Sequence, residues 1–272
     1  MAPKLIAQQV QADRVLRITG RTAERISRGE PGDNYIYQRS YFAYRKACEL
    51  ISGKVLEIGT GTGYALNELA ARADLLITVD KHALCRTPPP NVVFMRTQAP
   101  PLLNVPDASM DHVVSFQVIE HIPDDRYFLN EVRRVLKPGG RAILTSPNAK
   151  RSLTRNPFHV REYEVSEWDN LMRVYFTVEQ RLGVFGSPAV ETYIHENSRA
   201  VERLRRFDVF GLEHRAPSWL LRWAYSTLDR WDRQYLEGKL NGASSAIGAN
   251  DFHLTEVSED CLDLFYILRK EA

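Results

Sequence analysis

Ten residues, "VLEIGTGTGY" at positions 55–64, set a carboxylate, Glu57, ahead of three alternating glycines, Gly59, Gly61 and Gly63. A strand ending in such a loop brings backbone N–H groups and a helix N-terminus beside a ligand, with no Cβ to block its approach. Asp80 follows Gly63 by seventeen residues, the placement from which a carboxylate can accept both hydroxyl hydrogens of a ribose. The ligand so described contains adenosine. A dinucleotide fingerprint, G-x-G-x-x-G, needs its third glycine one position later, where this chain has Tyr64. An acid immediately before the glycines would also face the like charge of a pyrophosphate. A cofactor with a cationic amino-acid end would welcome Glu57.

Histidine is the commonest side chain for moving a proton near neutral pH, and position selects among the seven present. His121 follows Glu120 directly after an apolar run. His159 lies in "NPFHVREY", accompanied by Arg161, Glu162 and Tyr163, so a base, a cation, a carboxylate and a phenol fall within five positions. Blander roles compete with both: a helix-start position for His121, and a loop anchored by His159 and Glu162. His195, His214 and His253 fall in or near a helical insert, where capping or solvent-exposed roles are expected. Cys48, Cys85 and Cys261 are odd in number and lack metal-ligand spacing, which fits free thiols in a reducing compartment.

The elements that must hold these residues alternate. Short apolar runs at 55–58, 75–79, 92–95, 112–116 and 142–145 are separated by helical patterns, the mark of βαβ units around a parallel sheet. Before the last of them, Phe128, Leu129, Val132, Val135 and Leu136 mark one face of a helix. Pro123, Asp124 and Asp125 suit its first turn, and Pro138-Gly139-Gly140 stops it. A polar loop covers "SPNAKRSLTRNPFHVREYEVSEW", and loops of that length are usually functional or mobile. A helix from about 166, a strand over 176–184 and a last strand over 262–268 follow. The expected organisation is an N-terminal helical lid segment (1–50), a cofactor-binding core (51–186), a helical insert (187–250) with patterns at 195–209 and 217–238, and a final segment (251–272) completing the core sheet.

The 272 residues carry 36 basic and 34 acidic side chains, well interleaved, so a polyanion is not the expected partner. No apolar run reaches the roughly 18 residues of a membrane span, and the N-terminus lacks a signal-peptide core. A cytoplasmic protein without nucleic-acid or membrane partners is expected.

With "VLEIGTGTGY", "ITVD", "PDASMDHVVSFQVIEHIPD" and "EVRRVLKPGGRAILTSPN" in this order, residues 50–148 resemble the class I S-adenosylmethionine-dependent methyltransferases. The resemblance implies an α/β fold, a doubly wound, mostly parallel seven-stranded sheet with an antiparallel last strand. It implies S-adenosyl-L-methionine as cofactor, its methionine part held by Glu57 and the loop Gly59, Thr60, Gly61 and Gly63. The ribose would lie at Asp80 and Lys81, the adenine at Gln98 and Ala99, and the sulfonium next to Gln117. The family often has Gly-Asp-Ala where this chain has Thr97-Gln98-Ala99, so an amide or backbone would meet the adenine.

Methyl transfer from a sulfonium is an in-line displacement, and a hydroxyl acceptor must also lose a proton. His159 and His121 are the candidate catalytic residues. In ubiquinone-pathway-like O-methyltransferases a similar E-x-x-E-H holds a divalent metal; with Gln117 in the first place here, no metal is expected. No "(N/D/S)PP(Y/F)" follows the fourth strand, which argues against amino-methyltransferases of adenine bases and glutamine side chains. The resemblance extends to bacterial enzymes acting on sugars and secondary metabolites. The expected acceptor is a small molecule, methylated on a hydroxyl oxygen of a natural product or sugar-bearing precursor. N- or C-methylation, a sulfonium-assisted cyclisation or decarboxylation, and a non-catalytic cofactor-binding scaffold are the alternatives; a dehydrogenase is a further one. Trp219, Leu220, Trp223, Leu228, Trp231 and Tyr235 form an apolar stripe that fits an acceptor wall, a homodimer contact or plain core packing. The Tyr-rich helix "NYIYQRSYFAYRKA" is read as a lid with Arg39 or Tyr41 near the cofactor's carboxylate, or as aromatic core.

Overall fold

The computed structural model describes residues 34–271, except 85, 153–155, 157 and 206–242. The apolar runs form parallel strands, β1 (Lys54–Ile58), β2 (Leu75–Asp80), β3 (Val92–Arg96), β4 (Met110–Phe116) and β5 (Leu136–Pro147), the inner ones largely buried on both faces and the edge strand β3 half exposed. β6 (Thr177–Gly186), β7 (Phe252–Glu256) and β8 (Asp263–Arg269) extend the sheet by antiparallel pairing. The order is β3-β2-β1-β4-β5-β8-β6-β7. The sheet therefore has eight strands where seven were expected. The additional one, β7, is a short edge strand in which only Phe252 is buried, so its five residues carry little hydrophobic pattern.

Alternation along each inner strand feeds two cores. On one face Val55, Val114, Phe116, Phe265 and Ile267 pack with Phe42, Tyr44 and Ala47 of α1 (Asn34–Ala47), Leu66 and Leu69 of α2 (Leu66–Ala70), and Val190 of α5 (Pro188–Arg205). On the other, Leu56, Ile58, Val113 and Leu144 meet Phe128, Leu129, Val132 and Val135 of α3 (Asp125–Val135), with Trp168 and Met172 of α4 (Val165–Tyr175). α1 thus belongs to a core as well as lying along the sheet. Asp124 caps α3 by accepting from Tyr127 N at 2.8 Å, and the helix ends at Val135. Leu136, expected on the helix face, already pairs with Met110 in the sheet, two residues before the Pro-Gly-Gly stop.

The insert's first helix begins at Pro188, earlier than the expected 195, with proline in the first helical position, where its missing N–H costs nothing. After the gap, α6 (Ala243–Ala246) and a short turn at 249–251 lead into β7. Asn34 Nδ2 donates to the carbonyls of Ser244 (2.5 Å) and Ile247 (2.9 Å), tying α1 to this return segment. The 217–238 stripe, His214 and Cys85 lie outside the described residues. Among the described residues no helix is long and apolar enough to cross a membrane.

Candidate active site

Every candidate residue lies at the carboxyl edge of the parallel strands, where open α/β sheets take their ligands. At the end of β1, Glu57 is 1% exposed and sits opposite Thr78 of β2 in the register. Thr78 Oγ1 donates to Glu57 Oε2 at 2.6 Å, and hydroxyls of Tyr44 and Thr60 add to this shell. Burial pushes the Glu57 carboxyl up, against the pull of these hydroxyls. A buried carboxylate surrounded by hydroxyls, under a glycine loop, is an acceptor for a cationic group.

The loop itself differs from the expectation of donors aimed at a ligand. Gly59 N bonds to Val79 O (2.9 Å), Gly61 N to Asp80 Oδ2 (2.7 Å) and Gly63 N to Thr60 O (2.9 Å). Thr60 is buried, its hydroxyl turned inward to Thr78 and Val79 O. The loop spends these donors on its own fold, which suits a cofactor without phosphates. At Gly59, φ is +90° and an added Cβ would strike Val118; at Gly61, φ is +58° and the Cβ direction is open space into which a ligand can come close. Tyr64, in the place of the third dinucleotide glycine, packs edge-on against Tyr37 and Tyr44 of α1, with ring centroids 5.1 and 5.5 Å apart. A glycine there could not hold α1 against the loop.

Asp80 accepts from Gly61 N and, through Oδ1, from His82 N at 2.8 Å, so it closes the loop while keeping further lone pairs for hydroxyl donors. Lys81 is exposed beside it. Thr97 N bonds to Asp80 O at 2.9 Å, which brings the start of the Gln98-Ala99 segment next to the same edge, with Gln98 exposed. That segment is clamped from behind. Glu131 of α3 accepts from Leu102 N at 2.7 Å, while Arg134 donates to Leu102 O, Val105 O and Asp107.

Gln117, directly after β4, has φ +56°, unusual for a residue with a side chain. Its amide reaches Thr145 Oγ1 at 3.4 Å and Asp263. Asp263 also faces Arg39 of α1, Nε to Oδ2 3.1 Å, and burial pushes its carboxyl up in spite of that cation. Arg39 therefore ties the N-terminal helix to β8, and its charge is felt by Glu120 and Glu162. Tyr41 turns away to Glu68, Oη to Oε1 2.9 Å. Thr78, Tyr44 and Asp263 went unread in the sequence as site residues. Of these only Thr78 leaves a trace there, a hydroxyl inside the apolar run "LLITVD".

The two histidines meet. Their rings are 4.8 Å apart and nearly perpendicular. His159 Nδ1 lies 2.5 Å from Glu162 Oε1, and its Nε2 2.9 Å from Asn156 Nδ2; His121 Nδ1 lies 3.0 Å from the Phe158 carbonyl. Burial acts to raise the Glu162 carboxyl, but hydrogen bonds from His159 and Ser152 and the nearby charges hold it below its ordinary value. Glu120 is fully buried; its backbone carbonyl receives Val160 N at 2.7 Å, pinning the loop after β5 onto the end of β4. Burial pushes the Glu120 carboxyl up to about 8. A separate cavity of about 490 Å³, lined by Phe42, Arg45, Leu182, Phe252 and Ile267, contains none of the candidate residues.

Fold and site together put a glycine loop, a buried carboxylate and a pair of histidines on one edge of a Rossmann-like sheet. A family model described as a methyltransferase domain matches residues 56–144. A protein of Mycolicibacterium smegmatis, named "Probable S-adenosylmethionine-dependent methyltransferase", is 33% identical over 264 residues, covering 90% of this chain and 93% of that protein. The chain belongs to the S-adenosylmethionine-dependent methyltransferases, and S-adenosylmethionine is its cofactor. The fold is shared with a SAM-dependent methyltransferase from Thermotoga maritima (TM-score 0.53, 17% identity, 87% of this chain and 92% of the other). It is shared as well with the cyclase SpnF (TM-score 0.52, 19% identity, 86% and 81%).

Proposed function

We propose that the enzyme methylates a hydroxyl oxygen of a small molecule, a natural product or sugar-bearing precursor. S-adenosylmethionine supplies an electrophilic methyl group on a sulfonium. Glu57 receives the cationic amino-acid end, Asp80 with Lys81 the ribose, and the Gln98-Ala99 segment the adenine; Gln117 stands at the sulfur. Gly59, Thr60, Gly61 and Gly63 shape the cradle. The observation that carries the hydroxyl reading is the His159–Glu162 contact of 2.5 Å beside His121, at the same edge as Gln117. A carboxylate on Nδ1 fixes the tautomer in which an uncharged ring carries its lone pair on Nε2; Asn156 Nδ2 faces that atom at 2.9 Å, and an acceptor hydroxyl would take its place to hand over a proton. An amine acceptor that reacts unprotonated has less need of such a group. The 187–250 insert is proposed as the acceptor or dimer region and 1–50 as a cover, around the core 51–186 with 251–272.

Incubation with S-adenosylmethionine and a panel of hydroxylated aromatics and sugars tests this. A product heavier by one methylene, with the new methyl resonance at an O-methyl shift, is expected. A methyl on nitrogen or carbon, or a rearranged product without mass gain, overturns the hydroxyl reading.

A further inference from the structure

We propose that Glu120, His121 and His159 form a site for one divalent transition ion of the zinc type. Each residue offers one ligand atom, and the three atoms lie within 4.8 Å of one another. Glu120 is 0% exposed and its Oε1 has no hydrogen-bond partner among the described residues. Oε2 has only Ser146 Oγ, at 3.4 Å. Buried carboxylate oxygens are normally satisfied, so an unpartnered one beside two imidazoles points to a cationic ligand.

The hydrogen bonds of the histidines fit the same occupant. A carbonyl oxygen can only accept, so His121 must donate from Nδ1 to Phe158 O, and in its neutral form it carries its lone pair on Nε2. His159 donates from Nδ1 to the Glu162 carboxylate and likewise presents Nε2. Carboxylate and carbonyl partners on the far nitrogen are what orient metal-ligating histidines. Asn156 now competes for His159: its Oδ1 accepts from Phe158 N at 3.0 Å, which leaves Nδ2 to donate to Nε2. Two imidazoles and one carboxylate are three protein ligands, the set of open sites that keep a position for a reactant. Ligand atoms of an ion at about 2.1 Å stand about 3–4 Å apart, so the cluster contracts by about 1 Å on binding. The third ligand arrives from the loop after β5, where the sequence pattern, lacking a carboxylate at Gln117, gave reason to expect no metal.

The role of the ion rests on the hydroxyl reading above. An acceptor hydroxyl facing the ion becomes more acidic. Its O–H bond breaks with the proton passing to solvent, and an oxygen lone pair forms the O–CH3 bond. The S–CH3 bond breaks with its electron pair remaining on sulfur. His159 then serves as a ligand in place of accepting the proton.

Titration of the chelator-treated full chain with Zn2+ by calorimetry, and with Co2+ followed by its absorption spectrum, tests the site without any acceptor. One equivalent per chain is expected. His159→Ala and Glu120→Gln, with folding checked by circular dichroism, should each weaken binding by about tenfold or more. Asn156→Asp keeps the acceptor for Phe158 N, removes the competing donor and adds negative charge, so it should bind more tightly than the parent. No saturable binding by the parent, undiminished binding by a folded His159→Ala, or weaker binding by Asn156→Asp each overturns the site. In those cases the hydroxyl reading still stands or falls on its product. An ion held as expected together with an N- or C-methyl product supports the site and removes the hydroxyl reading.

Discussion

Glu57, the residue proposed to receive the cofactor's cationic end, is held in the fold at a cost. Its carboxyl is raised because burial outweighs the hydroxyls of Thr78, Tyr44 and Thr60. A carboxyl whose folded pKa lies above its unfolded one favours folding below that pKa, and its ionisation opposes folding as pH rises through it. Glu57→Gln keeps an acceptor for Thr78 and removes the charge. Calorimetry should show S-adenosylmethionine binding weaker by about 10- to 100-fold, the loss of a charge-assisted contact. Thermal unfolding should show a melting temperature unchanged or raised at pH 7. Weaker binding with a lowered melting temperature would instead mark Glu57 as a structural residue. The grouping of residues 55–80 was legible because Glu57, the glycine loop and Asp80 lie in one short βαβ unit. The inward turn of Thr60 was not, because it depends on Thr78 in the neighbouring strand.

At the level of elements, the clamp from α3 fixes the segment after β3, the one proposed to meet the adenine. Arg134 Nε and Nη2 reach Glu131 Oε1 and Oε2 at 2.7 and 2.9 Å, and Leu102 N completes the set. Hydrogen bonds from Arg134 outweigh burial and hold the Glu131 carboxyl below its ordinary value. The sign follows: a depressed carboxyl contributes stability above its unfolded pKa and loses it as pH falls through the folded one. Glu131→Gln should therefore unfold in urea with about 1–2 kcal/mol less stability at pH 7. The deficit should shrink as the pH is lowered below the ordinary carboxylate pKa; a constant deficit would mean packing, not charge, is at stake. The helix itself was readable from its 3.6-residue apolar stripe and its Asp124 cap. The edge strand β7 was not, since its place is given by pairing with β6 and not by its own pattern.

Across the whole molecule, Arg39 and Asp263 join the first described helix to the last strand, with side chains only 17% and 4% exposed. Removing one member of such a pair leaves the other charge buried. Arg39→Met should cost about 3 kcal/mol in denaturant unfolding, and Arg39→Met with Asp263→Asn should recover at least about half of it. Equal losses in single and double variants would show that the pair has no coupling. The sequence by itself determined the parallel core, the adenosine cofactor and its cationic end, because these follow from hydrophobic period and from residues close along the chain. Only the tertiary structure decided which side chains meet beyond the glycine loop. There Arg39, Gln117, Glu120, His159 and Asp263 converge from segments up to more than 200 residues apart. The reason is physical: strand crossovers and the antiparallel return of β8 carry them to one edge, and no local spacing encodes which distant loop will meet which strand end.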